Sequence, residues 1–430
     1  MLSTSGGSMT ATPSELFGLH QDALRCPYPA YQQLRSESPV HFVEDIDAFV
    51  VTRHQDIAAI IRQPELFNNT IAVGPPPNGL LEAVAEVVAE NPQLLDAVTT
   101  LAQLPPVLLL ADGKLHSRQR ALVNKAFTPR GAASLEPRLT AIADGLIDRF
   151  IGNGQAELLD DYATPLPLII MSELVGVVPD RIPTFKKWAD AWLTPIGNRG
   201  NKQRTKMMLE ALLEFWAYFQ AEVGRRRRED HPDLLNAIVN SRVDGLEPLT
   251  DAEIIVFVGQ LMSAGTETST KLISQGLLLF DRDPELRDGV AADPDLLPKV
   301  IEELLRFEPP VQGMFRVAEQ DATLDGVDIP KGAMLWLAYA SANRDPGTWT
   351  NPDTFQPGRD NISNHMSFGG GKHYCLGAAL ARVEGLVGLR QLLTRLDNIQ
   401  LDRGHRVEYE QSFIFHGPTS LRFTFTPRNR

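Results

Sequence analysis

Apolar residues recur at helical spacing over most of the chain between His116 and about Gln220, and helical patterning resumes near Pro232. Shorter, strand-like stretches bracket this body. Near the start, a helix is predicted over Tyr28 to Ser36, with strands at Val40 to Val43 and Ala48 to Thr52 and a short helix from Asp56 to Arg62. After residue 310, Phe315 to Ala318, Ala322 to Leu324 and Met334 to Tyr339 read as strands. Phe413 to Phe415 and Ser420 to Thr426 alternate like a closing hairpin. The predicted fold class is mainly α with a minor antiparallel β portion. No internal repeat and no Ser/Gly-rich divider is visible, so residues 19–430 are expected to form a single domain behind a flexible segment, 1–18. Residues 70–110 are less regular. GPPPNG at 74–79 reads as a turn, and Leu80 to Ala89 and Leu94 to Leu104 as short helices before Pro105 and Pro106. This segment is either a lid over a wide mouth or an insertion that packs only on the surface.

One helix is predicted to be unusually long. Thr250 and Glu253 form a capping-box pattern, and the apolar run then continues to about Asp281, stopped by Asp283-Pro284. At 1.5 Å per residue it is roughly 45 Å long, and its apolar faces place it across the core. Its middle, SAGTETST at 263–270, departs from that pattern. Hydroxyls there bond to carbonyls one turn back and bend helices. Gly265 lets another group approach the backbone. The stretch reads either as a kinked helix with solvent-linked polar groups or as a groove where water and a proton path meet a reactive centre.

Composition narrows the chemistry. With 430 residues and 43% hydrophobic content, a large core is available. A formal net charge of -13 argues against nucleic-acid binding. The dense basic run Arg225 to Arg228 is flanked by Glu222, Glu229 and Asp230, so it reads as a solvated helix end, with an anion contact as the alternative. Two cysteines in so long a chain point to a reducing, cytoplasmic setting. The opening MLSTSGGSMT lacks the basic and apolar regions of a secretory signal, and Leu104 to Ala111 is too short to span a bilayer, so no membrane anchor is expected.

The strongest local signal is FGGGKHYCLG at 368–377, followed by the helical LGAALARVEGLVGLRQLLTRL. Cys375 therefore sits at a helix start, where backbone amides and the helix field favour an anion. With no ligand-spaced cysteine nearby, a Cys-rich zinc or iron-sulfur site is excluded. An axial thiolate on haem fits the inventory. An ordinary buried thiol and a nucleophilic cysteine remain as alternatives at this point.

Four separated motifs then agree. The cysteine loop FGGGKHYCLG, AGTET at 264–268, EELLRF at 302–307 and GKLHSRQR at 113–120 together resemble the cytochrome P450 family, soluble bacterial type, over about residues 20–425. The resemblance implies the cytochrome P450 fold and a haem b (iron protoporphyrin IX) ligated by Cys375. It implies that Phe368 and Gly377 flank the sulfur, and that Ala264 and Gly265 lie over the distal face. It implies that His116, Arg120, Arg316 and His373 hold the propionates, and that Thr268 and Glu267 position and relay protons. Glu303 and Arg306 should form a structural ion network with Arg359. Substrate contacts are implied near 70–110 and 183–200, and at Gln260, Leu261, Ala264, Val311, Gln312, Ile414 and Phe415. The mostly apolar set suits a lipophilic small molecule oxidised with O2. The implied electron donor is a separate ferredoxin, with a flavodoxin as second choice, fed by an NAD(P)H-dependent reductase and docking near Lys372 or Arg382. Peroxide-driven oxidation and a non-catalytic haem sensor are the alternatives, and the Glu267–Thr268 pair favours oxygen use over both.

Overall fold

The protein is described by a computed structural model over residues 11–76, 78–196 and 201–428. The long helix is present as Asp251–Arg282, 32 residues, with the capping box at Thr250 and Glu253 formed in both directions. It ends at Asp283, immediately before Pro284. Its hydroxyl-rich middle does not interrupt it. Ser263 donates to Gly259 O at 3.0 Å, Thr268 to Ala264 O at 2.7 Å and Thr270 to Thr266 O at 2.9 Å. These three hydroxyls are satisfied by carbonyls one turn back and Ser269 turns to Glu384, so the helix continues unbroken through this stretch.

This central helix packs on Pro165–Leu174, Ile182–Leu193 and the 18-residue cysteine helix Ala378–Arg395. Small residues set the last approach. A Cβ on Gly276 would lie 2.5 Å from Leu389, and one on Gly385 would lie 2.7 Å from Leu272. Leucines from each helix thus fill glycine notches on the other, and a methyl at either notch forces the pair apart.

The strands form three sheets. The largest runs Val40–Val43, Ala48–Val51, Met334–Leu337, Met314–Ala318, Phe67–Asn68. Its Ala48–Val51 and Met334–Leu337 pair is parallel, so the sheet is mixed rather than purely antiparallel. The strand predicted to reach Tyr339 stops at Leu337, and Tyr339–Ala342 turns helical. The expected closing hairpin is replaced by a three-stranded sheet in which Arg422–Pro427 pairs with Gln155–Glu157 and Leu396–Leu401. Phe415 instead makes an isolated bridge to Val311. Alternation marks an exposed-buried strand but not its partner, which here is distant in sequence.

Two other expectations change. Residues 1–10 lie outside the described residues, but Pro13–Phe17 is a capped helix with Leu16 and Phe17 buried, so the packed body begins before residue 19. The basic run is not a solvated face. Arg226 is buried and joins Glu222 at 2.5 Å and Asp233 at 2.6 Å, Arg225 also pairs with Glu222, and Arg227 pairs with Asp251. Of the flanking acids Glu222 is a partner, and the others are Asp233 and Asp251, further along the chain. Residues 70–110 form helices at Leu80–Glu90 and Leu95–Ala102, and Leu80, Ala83, Val87, Leu94 and Ala97 are buried. The segment packs against Lys202–Arg226 rather than lying only on the surface. No helix among the described residues is long and apolar enough to cross a membrane.

Candidate active site

Glycines shape the loop ahead of Cys375. Gly369 and Gly371 adopt φ of 65° and 60°, and a Cβ on Gly371 would sit 3.1 Å from the Ile61 carbonyl. Only glycine combines that handedness with that approach. The Cys375 amide donates to Phe368 O at 2.9 Å, which closes the loop onto the start of the cysteine helix. The Phe368 ring is capped by the Arg382 guanidinium, 4.5 Å from its centroid. Cys375 keeps an accessible surface although its helix is packed into the core, and a Cβ on Gly377 would meet nothing within 4 Å. The residue thus opens onto space inside the fold.

Its electrostatics differ from the simple helix-start expectation. Burial pushes the Cys375 thiol up, and the Gly377 amide together with Arg120 and Arg382 only partly offsets this. Desolvation of the thiolate outweighs the amide and the two cations.

Basic side chains converge beside this loop. The helix Gly113–Asn124 carries His116 and Arg120, and the strand Met314–Ala318 carries Arg316. The His116 and His373 rings lie 4.1 Å apart, and His373 Nε2 is 2.9 Å from Asp112 Oδ1. Burial, with His373 and Arg120 nearby, lowers His116 to about 4, so it is neutral at pH 7. Arg316 is buried and donates only to Phe315 O, at 2.7 Å. Among the described residues neither Arg120 nor Arg316 has a carboxylate within ion-pair distance. Two confined guanidinium groups without anionic partners are a receptor for an anion. Asp112 and Asn69, which hold His373, were not singled out from sequence, because no motif spacing links them to it.

The central helix leaves one face uncovered. Gln260, Leu261, Ala264, Gly265 and Thr268 retain exposure, while Met262, Ser263, Thr266, Ser269 and Thr270 are buried. Those five share a stripe at the helical period. Gly265 also receives Met171, whose sulfur would be 3.1 Å from an added Cβ. Glu267 lies 2.6 Å from the ammonium of Lys271. Gln260 donates to Val107 O at 3.0 Å, tying residues 70–110 to this helix.

Val311, Gln312, Ile414 and Phe415 come together through the Val311–Phe415 bridge and the Gln312 amide, which donates to Ile414 O at 2.8 Å. Gln312 Nε2 donates to Pro309 O, leaving its buried Oε1 without a partner. Residues 197–200 of the implied 183–200 region lie outside the described residues. Glu303, Arg306 and Arg359 meet in one network, with Glu303 accepting from both arginines at 2.7 and 3.0 Å. The arginines do not pair with each other. Of the two suggested docking cations, Lys372 is exposed and pairs with Glu65 at 3.3 Å. Arg382 is committed internally to Glu302 and the Phe368 ring.

An open-faced thiol, a glycine beside it that fills no space, an uncovered stripe on a core helix and unpaired guanidinium groups fit a flat, dianionic iron porphyrin. The family model for cytochrome P450 matches residues 170–419. The chain is 33% identical over 402 residues to the cytochrome P450 monooxygenase PikC of Streptomyces venezuelae, covering 91% of this chain and 90% of PikC. It is 30% identical to the vitamin D(3) 25-hydroxylase of Pseudonocardia autotrophica, covering 98% and 100%. The solved structure of CYP109Q5 from Chondromyces apiculatus superposes with a TM-score of 0.83 at 33% identity, covering 96% of this chain and 98% of that one. The fold, the cysteine site and these relatives together establish that the chain belongs to the cytochrome P450 family, oxidoreductases that act as haem-thiolate monooxygenases.

Proposed function

We propose that this protein uses haem b, ligated by Cys375, to insert one atom of O2 into a lipophilic organic molecule. The observation that carries the reading is the accessible Cys375 at a helix start within a core that also leaves the Ala264 stripe uncovered. When bound, the haem supplies oxygen activation, and its thiolate ligand favours O–O cleavage. The chain's residues do the rest. His116, Arg120, Arg316 and His373 take the two propionates, with the unpaired Arg120 and Arg316 offering charge-assisted hydrogen bonds. Phe368 and Gly377 border the sulfur and leave room for the ring. Glu303, Arg306 and Arg359 brace the segment behind it.

Thr268 is the proton-positioning group. Its hydroxyl now donates to Ala264 O, and its lone pairs remain free to accept from a water on the uncovered face. Glu267, the adjacent acid, passes protons toward that water. Leu261, Val311, Ile414 and Phe415 offer an apolar lining, with Gln260 and Gln312 as polar points. The sterol-like substrate named for the vitamin D(3) 25-hydroxylase falls within this lipophilic class. Electrons come from a separate ferredoxin with an NAD(P)H-dependent reductase, meeting the exposed Lys372 side, and cytoplasmic residence suits that supply. A thiolate-type Soret shift on reduction with carbon monoxide, lost in Cys375→Ala, tests the ligand. A screen of lipophilic compounds by shifts of the ferric band, with product identification, tests the substrate class. A reduced carbon monoxide spectrum of the histidine-ligated type would overturn the reading.

A further inference from the structure

A second space adjoins the central helix on a neighbouring face. It is a cavity of about 300 Å³, bordered by Ser263, Thr266, Glu267 and Thr270 of that helix, by Lys271, and by Glu410 from the C-terminal segment. Its size admits several waters. The Thr266 side chain is 5% exposed, borders the cavity, and its hydroxyl has no protein partner. A buried hydroxyl left unpaired calls for a water.

Lys271 is the centre of the cluster. Its side chain is only 4% exposed, and its ammonium lies 2.6 Å from Glu267 and 2.5 Å from Glu410. Glu410 is 32% exposed and Glu267 26%. The position of Glu410 is fixed by local backbone bonds. The Glu410 amide donates to Gly417 O at 3.2 Å and its carbonyl accepts from Ser412 N at 2.8 Å. Gly417 lies on the stem of Lys271, where a Cβ would meet Cγ at 2.8 Å. One carboxylate thus lies next to Thr268 on the central helix, the other comes from the C-terminal segment, both border the cavity, and a buried ammonium joins them.

We propose that Glu410 is the proton-exchanging carboxylate that recharges Glu267, with Lys271 holding the two acids in register. This rests on the assignment of Glu267 and Thr268 above and names where their protons come from. A proton leaves Glu410 and reaches Glu267 through cavity water, while the Lys271 ammonium, which can only donate, keeps its own. Glu410 then regains one from water, and no electrons move along this path. Both act through Glu267 and are positioning residues.

The surrounding charges agree with this. Burial raises the Glu410 carboxyl, Lys271 opposes this and Glu267 adds to it. Lys271 keeps its proton because the two glutamates outweigh the cost of burial. The other ionisable groups facing the cavity are Asp160, from the turn Leu159–Ala163, and Lys186 and Asp190, from Ile182–Leu193. They offset one another except for one negative charge, which favours proton retention at Glu410.

The test uses the holoenzyme with NADPH, a ferredoxin and its reductase, vitamin D3 as added probe, and oxygen consumption in H2O and D2O. Glu410→Gln should slow oxygen consumption about tenfold and enlarge the solvent isotope effect. Glu410→Asp should recover part of the rate and shift its pH profile. Hydrogen-peroxide-driven oxidation of guaiacol, where the oxidant brings its own protons, should stay at the wild-type rate. Infrared difference titration in a Glu384→Gln background should show a carboxyl titrating above the usual range, lost when Glu410→Gln is added. An unchanged rate and isotope effect in Glu410→Gln overturns the proposal, as does an equal loss of the peroxide-driven rate. If Glu410→Gln does not fold, Glu410→Asp decides, and a wild-type rate with an unshifted pH profile and isotope effect overturns the proposal. Thr268→Ala, run in parallel, tests the parent assignment separately.

Discussion

Glu303 and Arg306 face each other three residues apart with no solvent contact, Arg306 donating from Nη2 to Glu303 Oε1 at 2.7 Å and from Nε to Oε2 at 2.8 Å. Arg359 adds a third bond to the same carboxylate, and the Gln356 amide a fourth. Arg306 also donates to the carbonyls of Asn343, Pro352 and Thr354. The pair therefore ties the helix Leu297–Phe307 to the long stretch that leads into the cysteine loop.

Removing Glu303 strands two arginines in the core, at a cost of about 3–5 kcal/mol, and removing Arg306 leaves Glu303 with Arg359 alone and cuts the ties to Asn343, Pro352 and Thr354. Glu303→Ala and Arg306→Ala are expected to yield little haem-bound protein, measured as the ratio of Soret to protein absorbance after purification. Normal haem content in either variant would contradict this.

Thr268→Ala should retain ligand-induced shifts of the ferric band and NADPH consumption. Product per NADPH should fall by about tenfold or more, with the electrons recovered as peroxide or water. Product quantification beside NADPH and peroxide assays checks this; unchanged coupling counts against the role.

Glu384 accepts a hydrogen bond from Ser269, between the cysteine helix and the central helix. Burial pushes its carboxyl up from 4.5 to about 8, and the Ser269 hydroxyl offsets only part of this. Between those values the folded protein holds a proton that the unfolded chain releases. Stability contributed here is complete below about pH 4.5 and is lost as pH rises toward 8, by about 1.4 kcal/mol per unit within that window. Glu384→Gln, which cannot ionise, should lose less Tm than wild type between pH 5 and pH 8 in thermal melts. Equal losses would exclude a titrating Glu384.

Among the described residues, Arg120 and Arg316 each lack a carboxylate partner. Replacing either with Ala should weaken haem retention by one charge-assisted hydrogen bond, about 1.5–3 kcal/mol, or roughly ten- to hundredfold faster haem transfer to apomyoglobin. Unaltered transfer rates in both variants would mean that the propionates lie elsewhere.

Local signals carried far into this structure. The capping box at Thr250, the stop at Pro284 and the apolar period of the central helix are properties of neighbouring residues, so sequence alone determined that element. The glycines around Cys375, the three-residue spacing of Glu303 and Arg306, and the adjacency of Glu267 and Thr268 were legible for the same reason. Only tertiary structure decided partners far apart along the chain. Glu410 stands 139 residues from Lys271 in number yet 2.5 Å from it in space, and no periodicity announces that contact. Arg226 looked solvated until Asp233 and Glu222 closed around it, and Phe415 paired with Val311 instead of a hairpin neighbour. The Cys375 thiol illustrates the division best. Its place at a helix start is written locally and favours an anion, but its desolvation depends on everything packed around it, and that larger effect prevails.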